Sequence, residues 1–410
     1  MTGCSYCLVG LLLLALGTSL AAPAKVVLRV KNSSGVQRHE VVAFSAEEVC
    51  RALGTDCKSP VRVLDSYRQQ VPCQLTHDGQ LLIEAAVCPH GEACYVVEKG
   101  EPEAFQSSVD AYFCQWRADD FTWENDLCAY RAYGPALQRS GERAYGFDVW
   151  LKSTRELDVR RRYREHLEAM KERDELNRQG KRSEAAIAFD RKSYHIDHGR
   201  GLDCYSVEAS LGCGTPAIML GDSIVMPWAF LDYQVLDNGP LRLTFQLTYP
   251  EVLIDGQRVR EHRLTSLDKG SLFNRITVWY DGLKRPTTLC SGVVVHDDDV
   301  SSLTLASDFV AYSDPTDAPK RHNFQIYVAT VYPEGHCKTR FIKDKWHAKQ
   351  GIKGNAVGMK RNVKAGERWT YWFGASWCKG ATPDQAAWMQ QIKALVSRCH
   401  SPLLTSVARE

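Results

Sequence analysis

Short runs in which apolar and polar side chains alternate, separated by turn-forming residues, recur through most of this chain. A period of two puts alternate side chains on opposite faces of a pleated strand, so such a chain must build sheets that bury at least one face. Residues 26–30, 242–249, 276–280, 324–330 and 368–373 read as strands rich in β-branched and aromatic side chains. Asp237-Asn238-Gly239 and Asp255-Gly256 supply the tight turns that a meandering antiparallel sheet needs. The pattern predicts a mainly β fold with helical additions.

Two segments depart from it. Between residues 154 and 190 charged side chains dominate, yet Val159, Tyr163, Leu167 and Met170 fall on one helical stripe. Glu165 follows Arg161 and Glu168 follows Arg164 at the spacing that allows ion pairs on one helix face. A charged amphipathic helical insertion is expected there, and the interleaved acids argue against a polyanion-binding patch. Near the C-terminus, Thr382 is the expected N-cap of a second helix, with Pro383 at the first helical position and Gln385 completing a capping box. Trp388, Ile392 and Leu395 form its core-facing stripe. Residues 25–100 carry strand and turn signals of their own and read as a small N-terminal β region. Residues 101–410 then form the main domain.

Residues 1–24 have the short apolar run and small-residue end of a secretory signal peptide. Their apolar core is shorter than a membrane-spanning helix, and no later segment reaches that length. The expected location is secreted or periplasmic, without membrane insertion. A net charge of +2, mixed along the 410 residues, gives no global field that would recruit nucleic acid. Of fifteen cysteines, all but Cys4 and Cys7 follow the leader. In an oxidising compartment several disulfides are expected, with Cys50–Cys57, Cys88–Cys94, Cys114–Cys128 and Cys204–Cys213 the first pairs to test; spacing does not fix the connectivity, and the odd count leaves at least one thiol over. Asn32-Ser33-Ser34 is formally a glycosylation acceptor.

Three polar clusters interrupt the β background. In "WENDLCAYRAYGPAL" (residues 123–137), Glu124, Asn125 and Asp126 precede Arg131 and Tyr133, which share one face of a strand. A planar guanidinium suits a carboxylate, as an acidic sugar would supply, while an internal ion pair of Arg131 with Asp126 or Glu124 is the alternative. In "SYHIDHGRGLDCY" (residues 193–205), Gly199 and Gly201 permit turns that would fold Tyr194, His195, Asp197, His198, Asp203 and Tyr205 towards one point. Histidine exchanges protons near neutral pH and tyrosine can act as an acid. The alternatives there are a divalent metal on the His-x-x-His pair with Asp197, or a loop whose polar groups satisfy only one another. In "WTYWFGASW" (residues 369–377), alternation puts Trp372 opposite Trp369 and Tyr371, and an indole face packs well on a sugar ring. Nucleophile-elbow, phosphate-loop and dinucleotide signatures are missing, so no organic cofactor is expected.

These two loops, with "GFDVWLKS" and the late "YWFGASWCKG" followed by a tryptophan-bearing helix, resemble a family of secreted bacterial proteins catalogued as a domain of unknown function and associated with polysaccharide utilisation. The resemblance runs from about Val109 to the C-terminus. That family is similar to galactose-mutarotase-like proteins and polysaccharide lyases. The resemblance implies a large antiparallel β-supersandwich and an acidic, uronate-containing oligosaccharide or polysaccharide as partner.

The leading expectation is a secreted lyase acting by β-elimination. Arg131, with Asn125, would neutralise the uronate carboxylate; His195 or His198 would take the neighbouring proton; Tyr194 or Tyr205 would protonate the leaving oxygen. Glu124, Asn125, Asp126, Asp197, Asp203 and Trp372 are the expected substrate-binding residues. The rivals are a glycoside hydrolase using two of Glu124, Asp126, Asp197 and Asp203, and a non-catalytic carbohydrate-binding protein.

Overall fold

The structure, a computed structural model, describes residues 25–409 apart from 227, 299, 316–324, 336, 346, 348 and 350. The leader and Phe324, the first residue of one expected strand, lie outside the described residues. Among those described, no helix is long and apolar enough to cross a membrane.

Antiparallel sheets dominate, as the alternation requires. The largest runs in the order Asp232–Asn238, Arg242–Thr248, Gln257–Asp268, Phe273–Asp281, Trp369–Trp377, Ile326–Val331, Phe309–Asp314 and Thr304–Leu305, with Val252–Ile254 paired to Gln257–Asp268. A second sheet is ordered Ser223–Val225, Cys213–Leu220, Thr287–Val295, Gly354–Val363 and Lys338–Lys343. A third contains Asp148–Trp150, Ala129–Ala132, Asp120–Asn125 and Val109–Cys114. Inward side chains of all three, among them Phe121, Trp123, Phe245, Ile276, Val293 and Phe373, form one core. The molecule is therefore a large β-sandwich, with its big sheet facing the other two.

The N-terminal region has its own core around Val26, Leu28, Phe44, Ile83 and Val97. It holds helix α1 (Ala46–Leu53), capped by Ser45 and ended by left-handed Gly54. The last strand of the chain, Leu404–Arg409, returns to pair with Val26–Lys31. The two ends of the described chain thus close one sheet.

Helix α2 (Pro135–Arg139) follows the third sheet. The charged insertion forms two helices, α3 (Val159–Arg178) and α4 (Arg182–Asp190), broken at Gly180. Val159 and Tyr163 are buried as expected, but the stripe continues through His166 and Ala169, with Arg162 also buried. Arg161 meets Glu165 at 3.6 Å, whereas Glu168 pairs with Lys192. The C-terminal helix, α5 (Gln385–His400), buries Trp388, Ile392 and Leu395 against the outer face of the large sheet. Its N-cap is Asp384, whose carboxylate accepts from the Ala387 N–H, so Thr382 does not cap it.

Among the described residues none of the four expected disulfides is formed. Asn32 is buried, and its amide nitrogen donates to the carbonyls of Val36, Val87 and Cys88, which leaves it unsuited to carry a glycan.

Candidate functional site

The third sheet is covered on its outer side by α3, which is why all six residues of Asp120–Asn125 are buried. Arg131 sits in this layer, 4% exposed. Its Nη2 donates to Asp148 Oδ2 at 2.5 Å and to Asp203 Oδ2 at 3.0 Å, and its Nη1 lies 3.7 Å from Asp120 Oδ2. The rings of Tyr133 and Trp150 flank the guanidinium at 4.7 and 5.2 Å. Burial, and next the charge of Asp203, hold the Asp148 carboxyl above the ordinary carboxylate range. Arg131 is thus committed to an internal ion cluster and does not reach a substrate carboxylate. The internal pairing was foreseen as the alternative, but its partners come from other strands and from the 193–205 loop, because Asp126 and Glu124 are engaged elsewhere.

Lys152 Nζ meets Glu124 Oε2 at 2.6 Å, and Glu124 also accepts from the Asp158 and Val159 N–H groups at the start of α3. Asn125 accepts from Leu127 N and Cys128 N and donates to the carbonyls of Asp268 and Ser271, a turn clasp between sheets. Asp126 accepts from Arg155 and from Gly270 N. All three are structural, which corrects the expectation that they face a ligand.

The 193–205 loop lies along the free edge of the third sheet. Leu151 N donates to Leu202 O, Ser153 N to Arg200 O, and Asp203 N closes the loop on Tyr194 O. Arg162 from α3 clamps it through Leu151 O and Arg200 O. Gly201 has φ of 116°, and a Cβ there would come within 1.9 Å of Leu151 O, so only glycine fits. Asp197 accepts from Gly199 N and Gly201 N and pairs with Lys379 at 3.2 Å, a turn-forming role. His198 Nε2 is 3.1 Å from Ser193 O. Tyr194 is buried, accepts from Arg117 Nε and stacks on His166 at 3.8 Å. Tyr205 is buried with its hydroxyl donating to Gly212 O. These tyrosines are committed inside the fold and are not placed to protonate a leaving group. Among the described residues no group of three histidine, cysteine or acidic side chains is arranged to hold a metal.

His195 differs. Its side chain is 54% exposed, and its Nδ1 lies 3.1 Å from Asp203 O and 3.8 Å from Asp203 Oδ2. Asp203 is in turn pinned by Arg131. The loop therefore joins the guanidinium and the imidazole through one aspartate, with only the imidazole reaching solvent. A Nδ1–H turned to the Asp203 carbonyl leaves Nε2 as the acceptor, the form a general base needs.

A second histidine, which the sequence analysis missed, stands at the other end of the loop. His296 Nδ1 lies 2.8 Å from Asp314 Oδ2, and its buried Nε2 has no hydrogen-bond partner. Burial opposes its charge, but Asp314 outweighs it and holds the imidazole above its ordinary range. The Tyr205 ring meets it edge-on at 6.1 Å. The available signal was "VVVHDD", a histidine and acids ending a fully apolar strand.

Trp372 is elsewhere, half-buried on the outer face of the large sheet, with the Arg275 guanidinium 5.9 Å above its ring.

Fold and site together define a large antiparallel β-sandwich protein with an Asp–His pair on an edge loop. The chain belongs to the family described as Domain of unknown function (DUF4861), which it matches over residues 30–404. The match takes in the N-terminal region as well as the part from Val109 onward. The chain is 27% identical over 348 residues to "Uncharacterized protein P7" of Formosa agariphila, covering 80% of this chain and 78% of that protein. Among solved structures it is similar to an alpha-mannosidase from Enterococcus faecalis V583, with TM-score 0.41 and 10% identity over 94% of this chain and 46% of that one. A glycosyl hydrolase family 38 protein from Enterococcus faecalis gives TM-score 0.40 and 10% identity, over 95% and 48%. The chain spans about half the length of these two structures.

Proposed function

We propose that the protein is a carbohydrate-active enzyme that uses His195 as a general base, and that it cleaves a uronate-containing glycan by β-elimination. The observation that carries this reading is the half-exposed His195 imidazole, oriented by an Asp203 that Arg131 fixes from behind. The carboxylates that a hydrolase would draw on are otherwise occupied: Glu124 by Lys152, Asp126 by Arg155, Asp197 by Lys379 and Asp203 by Arg131. That occupation favours an imidazole base over a carboxylate pair. His195 takes the proton next to the uronate carboxyl; the electron pair left behind forms the carbon–carbon double bond as the glycosidic C–O bond breaks, and the departing oxygen takes a proton from the His195 imidazolium or from water.

The protein should be incubated with a panel of uronate-containing and neutral glycans, following near-ultraviolet absorbance and product mass. Products that absorb and carry no added water, lost in His195→Ala, are the expected result. Products that incorporate water, or full activity in His195→Ala, would overturn the reading.

A further inference from the structure

On the opposite face of the sandwich, a cleft of about 350 Å³ opens between the N-terminal region, the outer face of the large sheet and the C-terminal end of α5. Trp372 and Phe273 contribute apolar surface, and Ser266 and Ser271 lie beside them. Charge pairing around it is unequal. Arg242 is held bidentately by Asp268, Lys269 by Glu84 at 2.6 Å, and neighbouring Arg38 by Glu40 at 2.5 Å. Each acid is thereby matched to a base, yet Arg275 and Arg398 line the same cleft with no carboxylate within 4 Å among the described residues.

Arg275 is exposed at the cleft wall, and Arg398 is half-buried on α5. Desolvation, then Arg242, lower the proton affinity of Arg275 against the opposing charge of Asp268; desolvation lowers that of Arg398, with Glu40 opposing and Arg38 adding to it. Arg398 is in the last turn of α5, where a cation complements the helix dipole. That effect is small and screened by salt. It also does not explain why the Arg398 Nε is buried without a hydrogen-bond partner. Two surplus guanidiniums beside a half-buried indole make a receptor for an oxyanion carried on a ring that can stack.

We propose that this cleft binds an acidic saccharide, its carboxylate or sulfate group held by Arg275 and Arg398 and a ring face resting on Trp372. The site is separate from the His195 loop, and it rests on the catalytic reading above only in expecting a sugar. It would hold a stretch of glycan away from the reacting bond.

Calorimetric titration of the whole protein tests it, with four probes: a uronate oligosaccharide, a sulfated oligosaccharide, a neutral oligosaccharide of equal length, and inorganic sulfate. At least one charged oligosaccharide is expected to bind more tightly than the neutral one and than inorganic sulfate, and which one does so names the anion. Arg275→Ala and Arg398→Ala should each weaken it by about tenfold or more, the loss of a charge-assisted contact. Trp372→Ala should weaken the oligosaccharides and leave inorganic sulfate unchanged. Melting temperatures are measured on the same samples, and affinities are compared at a temperature where every variant is folded. Equal binding of charged and neutral oligosaccharides, no binding at all, or unchanged affinity in the Arg275→Ala/Arg398→Ala double variant would overturn the proposal. His195→Ala is titrated in parallel: intact binding with lost turnover upholds both readings, and intact binding with intact turnover removes only the catalytic one.

Discussion

Lys152 Nζ lies 2.6 Å from Glu124 Oε2, with the lysine side chain wholly buried and the glutamate nearly so. Attraction between them must offset the desolvation of both, and the other Glu124 hydrogen bonds, to the first turn of α3, help it do so. Glu124→Gln keeps an acceptor for those N–H groups but leaves the ammonium uncompensated. A loss of about 3 kcal/mol is expected in urea unfolding. Adding Lys152→Met should recover most of it. A single variant as stable as the wild type would mean that the pair is not sealed from water.

His195 and Tyr205 end the same loop but should respond in opposite ways. The His195 ring is half exposed, so His195→Ala should change stability by no more than about 0.5 kcal/mol. Turnover should nevertheless fall by about 10²–10⁴, the usual contribution of a general base. Tyr205→Phe removes a buried hydroxyl that donates to Gly212 O. It should cost about 1 kcal/mol and leave turnover per folded molecule unchanged. Melting curves and initial rates on the same preparations separate the two. A Tyr205→Phe protein that is stable but inactive would restore the tyrosine as an acid.

His166 makes the fold acid-sensitive. Burial, then the charges of His195 and Arg117, push its imidazole down to about 4. The unfolded chain, at about 6.5, takes up this proton first, so stability is present above that value and is lost as pH falls towards the folded value. Asp148 has the opposite sign: its raised carboxyl contributes stability at low pH that is lost as pH rises through the folded value. His166→Phe should therefore flatten the acid side of a stability–pH curve, and Asp148→Asn should remove the decline at higher pH. Parallel curves for wild type and His166→Phe below pH of about 6 would show that the ring is not held neutral.

Strand positions were legible because alternation is a local property: residues 242–249 nearly coincide with the strand Arg242–Thr248, and residues 368–373 mark the start of Trp369–Trp377, which runs four residues further. The meaning of polar residues on such strands was not. Glu124 and Arg131 look like groups facing a cleft until α3 covers the sheet, and nothing local says that an insertion some thirty residues later folds back over them. The same blindness hid the anion cleft, since Arg275, Trp372 and Arg398 meet only through sheet pairing and the docking of α5. The cap of α5 was misread for a different reason. Thr382 and Asp384 are both good cap residues, and Thr382 is instead buried. The loop at 193–205 was the reverse case: its two glycines and Asp197 announced a turn-rich wall, and Gly201 is indeed required there.

Of the four expected disulfide pairs, Cys50 and Cys57 are near enough for each to act on the other. Cys57 Sγ donates to Ala46 O at 3.6 Å, and the two thiols are neighbours across the left-handed turn at Gly54 that ends α1. Burial first, and then Cys57, push the Cys50 thiol up to about 12, so it is a poor nucleophile and attack must begin at Cys57, which is exposed. Mild oxidant should activate Cys57 as a mixed disulfide, which Cys50 then resolves as the helix end frays. The product is lighter by two hydrogens, and peptide mapping should place the cross-link between residues 50 and 57. Closing so short a loop restricts the unfolded chain only modestly, which predicts a gain of about 2 kcal/mol in unfolding free energy. Cys57→Ser should abolish both the mass loss and the gain. If the oxidised wild type carries its bridge elsewhere, or Cys57→Ser gains stability equally, the pair is packed as two thiols and the bridge does not form.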